Sequence, residues 1–320
     1  MRGILAKRKL FMPTGTTPRL LSASTLVALL VLTPIFGNGS EARAEVLRWK
    51  FKAGEKLAYK LDQKTVTTMK VMGQEVKTTL SQTINMHWDV KSVTPEGDAR
   101  VAQTIDRFQT RVESPFVPFE FDSNDKKDPE GQIANVMVPL LRSMVGAEFS
   151  MIMKSNGELT DVKIPEKLLA TIKNAGPAAA AGGGMFSEEG MKTMLSQSSL
   201  SFPDESLEKG KGWTRQSKIP APPLGTMTLD KTYTYQGPDS TNPNLISIDL
   251  ATKVTLDAAA NPEVAIKIKS QNGKGSFSFN KETGHIESSG IKDTMVMSIS
   301  AMNQSFDQIT ETETSMKLDK

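Results

Sequence analysis

Residues 56–72 read KLAYKLDQKTVTTMKVM and residues 75–93 read EVKTTLSQTINMHWDVKSV, with only Gly73 and Gln74 between them. In the first run Leu57, Tyr59 and Leu61 alternate with charged or polar residues. In the second, Ile84, Met86, Trp88 and Val90 do the same. A period of two is that of a strand with one buried face. Threonine fills many of the remaining positions, and its branched side chain suits a pleated surface. Met72-Gly73-Gln74 is placed to turn one run back on the other as a hairpin.

The same patterning recurs outward from this pair. Residues 99–114 form a third long run after the turn signal Pro95-Glu96-Gly97-Asp98. Val264, Ile266 and Ile268 alternate, as do Met295, Met297 and Ile299. Asn156-Gly157 is a two-residue turn signal of its own. Strands this long must twist. The expected fold is therefore α+β and β-dominated: a long, strongly curved antiparallel sheet packed against two or three central helices. Helical spacing is confined to the middle of the chain. Gln132 to Met144 carries it, with Pro139 limiting or kinking the helix. Pro165 to Lys173 begins with proline in its first turn. Ser187 to Gln197 begins with an N-cap serine and the acids Glu188 and Glu189 at the positive helix end.

The organisation reads as four segments. Residues 1–44 are expected to be a signal peptide, 45–174 a first meander half with helices, 175–186 a Gly/Ala/Pro linker, and 187–320 a helix with a second meander half. Trp49 precedes Tyr59 much as Trp213 precedes Tyr233, and the hairpin around Gly157 echoes the one around Gly284. Two halves sharing one plan, or two hairpins alike by chance, both fit that echo, and the halves joining in a single domain is equally compatible. The linker serves either as a hinge or as a tolerated surface insertion, since loop length costs little.

Five basic residues and no acid occupy the first nineteen positions, and Leu20 to Phe36 follow without a charge. Ala42-Arg43-Ala44 then offers the small residues a signal peptidase accepts, so cleavage after Ala44 is expected. The apolar run is 17 residues, where a spanning helix needs about 20. Removing residues 1–44 takes six basic residues and one acid from totals of 39 and 36, which leaves a net charge of −2. That balance excludes a generally basic nucleic-acid binder. With no cysteine anywhere, disulfides and a lipid-modified cysteine are excluded, and stability must come from burial. These features point to an exported protein of the periplasm or cell exterior, without a membrane-spanning segment once the signal is removed.

Several motifs follow one another along the chain: Trp49-x-Phe51-x-x-Gly54-Glu55-Lys56-x-x-Tyr59, Trp88-x-Val90-x-x-Val93, Gly97-x-Ala99, Gly146-x-Glu148-Phe149, Asn156-Gly157, Phe202-Pro203, Gly210-Lys211-Gly212-Trp213, Tyr233-x-Tyr235-x-Gly237, and Phe277-x-Phe279 before Gly284. This order resembles the exported bacterial family catalogued as domain of unknown function 6263. The resemblance implies secretion and a strand-rich fold, and it carries over no catalytic residue.

Chemistry is sparse. The two histidines, His87 and His285, are far apart in sequence. His87 should point away from the face of Trp88 and share its own face with Asp89, two ligands at most, where a zinc or general-base site needs more. His285 falls in a turn region. Asp122, Asp125 and Asp128 superficially follow a calcium-loop spacing, but the distal glutamate is missing and Lys126-Lys127 oppose a cation. No nucleophile elbow and no phosphate-binding glycine loop occurs. The expectation is a non-catalytic protein without cofactor or metal.

Methionine is the compositional feature that remains, at 17 residues. It suits surfaces that repack around apolar partners, and it equally fills cores. The candidate pocket residues are Met86, Trp88, Met151, Met153, Met191, Met194, Met295 and Met297. Two roles stand beside each other: an envelope binding module for an apolar small molecule such as a lipid, and a structural protein that docks an envelope protein with a filled core. A hydrolase with an unrecognised site is the third.

Overall fold

The computed structural model describes residues 44–71, 74–116, 118–174, 187–221, 225–258, 264–301 and 304–319. The expected signal up to Arg43, including Ala42, the turn residues Met72 and Gly73, and the whole 175–186 linker lie outside the described residues. Residues 42–320 form one compact unit.

Twelve strands make one antiparallel sheet. They are β1 (Lys56–Val71), β2 (Gln74–Val93), β3 (Ala99–Glu113), β4 (Phe119–Asp122), β5 (Glu148–Met153), β6 (Leu159–Lys163), β7 (Gly212–Ala221), β8 (Gly225–Pro238), β9 (Leu245–Ala258), β10 (Val264–Asn280), β11 (His285–Ala301) and β12 (Gln304–Asp319). The order is β6-β5-β3-β2-β1-β12-β11-β10-β9-β8-β7, with β4 beside β3. The first six strands and the last six thus lie side by side, joined by β1 and β12, which pair from Ala58↔Asp319 to Met69↔Gln308. The expected hairpin of β1 and β2 pairs from Lys56↔Asp89 through Val71↔Gln74.

The alternation read in the sequence sets the faces. Leu57, Tyr59, Trp88, Tyr233, Tyr235, Phe277 and Phe279 point to one face, where they join the core. The opposite face carries Lys60, Asp62, Asn85, His87, Lys274, Lys292 and Glu313. Among the described residues three helices accompany the sheet: α1 (Gln132–Met144), α2 (Glu166–Asn174) and α3 (Glu188–Ser198). α1 continues through Pro139 and buries Ala134, Val138, Leu140 and Leu141. Ser187 caps α3 by accepting a hydrogen bond from the Gly190 amide at 3.0 Å.

The two ends of the sheet, β6 and β7, do not pair. α3 packs against both of them, so the sheet curls around its apolar face until one helix spans the gap. A strap of chain, residues 199–207, follows α3 along the same seam. The Phe202 amide donates to Asn156 O in the β5–β6 turn at 2.7 Å, and Glu45 and Leu207 exchange backbone hydrogen bonds of 3.0 and 2.7 Å. Gly157 makes this approach possible. Its φ is +90° and a β-carbon there would sit 2.1 Å from Leu200 O.

Candidate ligand-binding face and seam pocket

The inner face of the curled sheet is layered along the strands. At one end lies the aromatic core. Trp49 stacks on Phe51 at 5.8 Å and meets Phe279 edge-on, while Phe202 packs on Phe279 at 4.8 Å and Trp213 stacks on Tyr233 at 5.2 Å. α1, α2 and α3 contribute Leu140, Leu141, Leu168 and Met191 to the same core.

Next comes a polar belt. Gln63 donates to Thr65 at 3.3 Å, and Thr65 shares a hydrogen bond with Thr312 across β1 and β12. On β9, β10 and β11, Gln271 Nε2 donates to Asp293 at 2.5 Å and to Thr252 at 3.0 Å, while its carbonyl accepts the Val254 amide. Gly273 leaves room for this cluster, since a β-carbon there would lie 1.9 Å from Thr252 Oγ1. A cavity of about 730 Å³ opens at this level across β2, β1, β12, β11 and β10. Its lining takes in outward-facing residues of these strands, among them Asp62, Lys274, Lys292 and Glu313, as well as inward-facing ones. Gln63, Gln82, Thr314, Ile291 and Gly275 are its inward-facing members.

Beyond the belt apolar residues return to the inner face, interspersed on β1, β2 and β12 with Thr67, Thr78, Gln308 and Thr310. Met69 and Val76 on the first hairpin, Met227 and Leu229 on β8, Val254 and Leu256 on β9, Ile266 and Ile268 on β10, Met295, Met297 and Ile299 on β11, and Phe306 on β12 are all half-buried. None of them belongs to the core cluster. The helices pack near β4, β6 and β7 instead.

The methionine candidates therefore separate. Met151 and Met153 are 1% and 0% exposed, and with Met191 they are core residues. Met86 and Trp88 are half-buried against the core, and the Trp88 indole donates to Gln103 at 3.0 Å. Met295 and Met297 lie on the apolar band. The side chain of Met194 lies outside the described residues.

A second cavity, of about 320 Å³, sits at the seam between the sheet's edges. Asn156 and Glu158 come from the β5–β6 turn, Ser196, Ser199 and Ser201 from α3 and the strap, and Arg215, Lys231 and Tyr233 from β7 and β8. Ser199 donates to Gly157 O at 2.7 Å, and Arg215 donates to Ser201 Oγ and to Phe202 O. Burial pulls the Lys231 amine below the usual lysine range and pushes the Tyr233 phenol up to about 12. Reading the sequence for motifs missed Arg215 and Lys231. The signal was present in Met227-x-Leu229-x-Lys231-x-Tyr233-x-Tyr235, where a lysine occupies an inward position of an apolar alternation.

The titratable candidates fall elsewhere. His87 lies on the outer face with Asp89, as expected. Its Nδ1 meets Asp106 at 2.7 Å and its Nε2 lies 3.6 Å from Asp89. His285 is not a surface turn residue: it opens β11, is 4% exposed, and donates from Nε2 to Lys50 O at 2.8 Å. The segment around Lys50 folds over it and removes it from water, a contact across most of the chain. Asp122 and Asp128 are engaged by Arg107 and Arg142, and Arg142 also donates to Asp125 O. Guanidinium groups stand where a cation would have to. Among the described residues no group of three or more histidines or acids is arranged to hold a metal ion, and no helix is long and apolar enough to cross a membrane.

Comparison with known proteins gives three results. No curated protein matches the chain. Among solved structures, a lipovitellin structure described for its lipid–protein interactions aligns at 11% identity and a TM-score of 0.44, over 85% of this chain and 26% of that one. This chain thus spans about a quarter of the length of that relative. An outer membrane channel of Pseudomonas putida F1 aligns at 7% identity and a TM-score of 0.24, over 85% of this chain and 97% of that one. A family model matches residues 96–286, more than half of the chain, a range that holds β3 to β10 and the helices α1, α2 and α3: the protein belongs to the family of unknown function DUF6263.

Proposed function

We propose that this protein is an exported, non-catalytic binding module of the cell envelope, and that it shelters an apolar ligand such as a lipid on the inner face of its sheet. The observation that carries this reading is the apolar band from Met69 to Phe306. It continues the core's own face past the polar belt, yet stays half-exposed. Residues of this kind stabilise a protein little while they face water, because the driving force scales with apolar area removed from it. A ligand lying on the band supplies that burial. The hollow across β2, β1, β12, β11 and β10, about 730 Å³, has a volume in the range typical of small-molecule sites, about 300–1,000 Å³.

The export part of the proposal rests on the basic start, the uncharged run and Ala42-x-Ala44. The test is titration of the delipidated mature chain with a fluorescent apolar probe. Stoichiometric, saturable enhancement that a long-chain lipid competes away is the expected result. A probe signal that never saturates contradicts it.

A further inference from the structure

Where the two halves of the chain meet, the inner face changes character. Gln63, Thr65 and Thr67 on β1 stand opposite Thr314, Thr312 and Thr310 on β12, and Gln308 follows opposite Met69. On the core side the same strands present Leu61 and Met316. The inward positions of two central strands thus form a panel of hydroxyls and carboxamides, all of them half-buried.

Neither strand formation nor solvation accounts for this panel. Valine has the same branched shape as threonine and suits a strand as well. The outward positions of the same stretch carry Asp62, Lys64, Glu311 and Glu313, as a wet surface does, whereas the panel carries no charge. An uncharged polar group costs far less to take out of water than an ion does. The panel is therefore polar and yet suited to being covered. Some of its groups hold one another, Thr65 with Thr312 at 3.2 Å and Gln308 with Thr310 at 3.1 Å. The hydroxyls of Thr67 and Thr314, and the carboxamide of Gln82 beside Gln63 on β2, have no hydrogen-bond partner among the described residues.

The panel also borders the apolar band directly. Thr310 pairs with Met295 and Gln308 with Met297. Asp293, the carboxylate at its edge, pairs with Thr312 and accepts hydrogen bonds from Gln271 and Thr252. Its charge stands against an anionic headgroup on the panel.

We infer that the panel of β1 and β12 is a sugar-binding surface, and that the ligand is a neutral glycolipid with its hydrocarbon laid over Met295, Met297 and the band beyond. This rests on the apolar-ligand reading above and adds to it the class of ligand. Each hydroxyl and carboxamide of the panel both donates and accepts. Sugar hydroxyls do the same, so either direction of hydrogen bond can be met at each contact.

The experiment displaces a fluorescent apolar probe from the delipidated chain. The titrants are an alkyl maltoside, the alcohol and the carboxylate of equal chain length, and maltose, all below the micelle concentration. The maltoside should bind at least tenfold tighter than the alcohol or the carboxylate, the gain from one or two net hydrogen bonds. Thr67→Val with Thr314→Val removes two hydroxyls that hold nothing in the fold and keeps their shape. It should lower maltoside affinity about tenfold and leave the alcohol's unchanged. A maltoside no tighter than the alcohol or the carboxylate overturns the sugar surface while the apolar reading stands. A chain from which none of the titrants displaces the probe overturns the apolar reading as well. Maltose binding as tightly as the maltoside removes the tail from the site and overturns the proposal. A double variant that keeps the full preference for the maltoside overturns the assignment to this panel.

Discussion

Trp49 and Trp213, from opposite halves of the chain, donate their indole N–H groups to consecutive carbonyls of the strap, Leu200 O at 2.9 Å and Ser201 O at 2.8 Å. Between them they fasten the segment that bridges the edges of the sheet. Replacing either by phenylalanine removes a donor and leaves a covered carbonyl unpaired, at a cost of about 2 kcal/mol. Both grip the same short segment, so Trp49→Phe and Trp213→Phe together should cost less than the sum of the two. Urea unfolding of the single and double variants measures this directly.

Gly157 lies beneath the same strap. An alanine there meets two costs at once: a left-handed backbone, and a β-carbon driven into Leu200 O and the Trp49 ring. Gly157→Ala should lose about 3 kcal/mol. Gly54, also at positive φ but with open space around it, should lose only about 1 kcal/mol on the same change. Equal losses at the two sites would mean that the strap does not press on Gly157.

Acid should destabilise the fold in two separate steps. Burial holds the His285 imidazole below its usual 6.5, although the Glu55 and Glu287 carboxylates pull it the other way and Lys52 adds to the effect. The unfolded chain then binds the proton more readily than the folded one. Stability is therefore complete above about pH 7 and falls as the pH drops through 6.5. Asp122 behaves alike at lower pH. The hydrogen bond from Arg107 holds its carboxyl at about 2, against 3.8 unperturbed, so its contribution is lost between about pH 4 and 2. His285→Gln keeps a donor for Lys50 O and should flatten only the first step. An unchanged slope between pH 7 and 5 in that variant would assign the loss to another group.

The methionines offer a contrast between packing and binding. Met151→Ala opens a cavity in a filled core and should cost about 3 kcal/mol, with probe affinity unchanged in the folded fraction. Met297→Glu places a charge on the apolar band. It should cost within about 1 kcal/mol of stability and abolish probe binding. Thermal melts paired with probe titrations separate the two.

Export should leave Glu45 as the first residue. The structure gives it a place: its amide donates to Leu207 O, and its carboxylate accepts from Lys281 and from the Tyr235 hydroxyl at 3.2 Å. Intact mass and N-terminal sequencing of the secreted chain should find a start at Glu45. A start upstream of Arg43 would refute cleavage after Ala44.

How much of this could be read from the chain alone follows from distance. Leu57, Tyr59 and Leu61 declare their face within five residues, and the 132–144 helix is written in its own spacing with Gln132 and Met144 at its ends. The β1–β12 pair and the seam are different. They join Tyr59 to Leu318 and Asn156 to Phe202, and nothing local specifies such partners. His285 was misplaced because the residues that bury it, Phe51 and Lys50, belong to the other end of the chain. The polar belt was hidden for a subtler reason. Gln63 and Thr65 continue the inward register of Leu61 but break its hydrophobicity, so a pattern search sees the strand fade where the cavity begins.

Native mass spectrometry of the chain, purified under gentle conditions from the cells that make it, goes most directly to whether the inner face is a binding surface. A single added mass from one small apolar or amphipathic molecule, lost on delipidation and diminished in Met297→Glu, is the predicted spectrum. A wild-type chain that flies at its bare polypeptide mass, and still binds no apolar probe in solution, would contradict it.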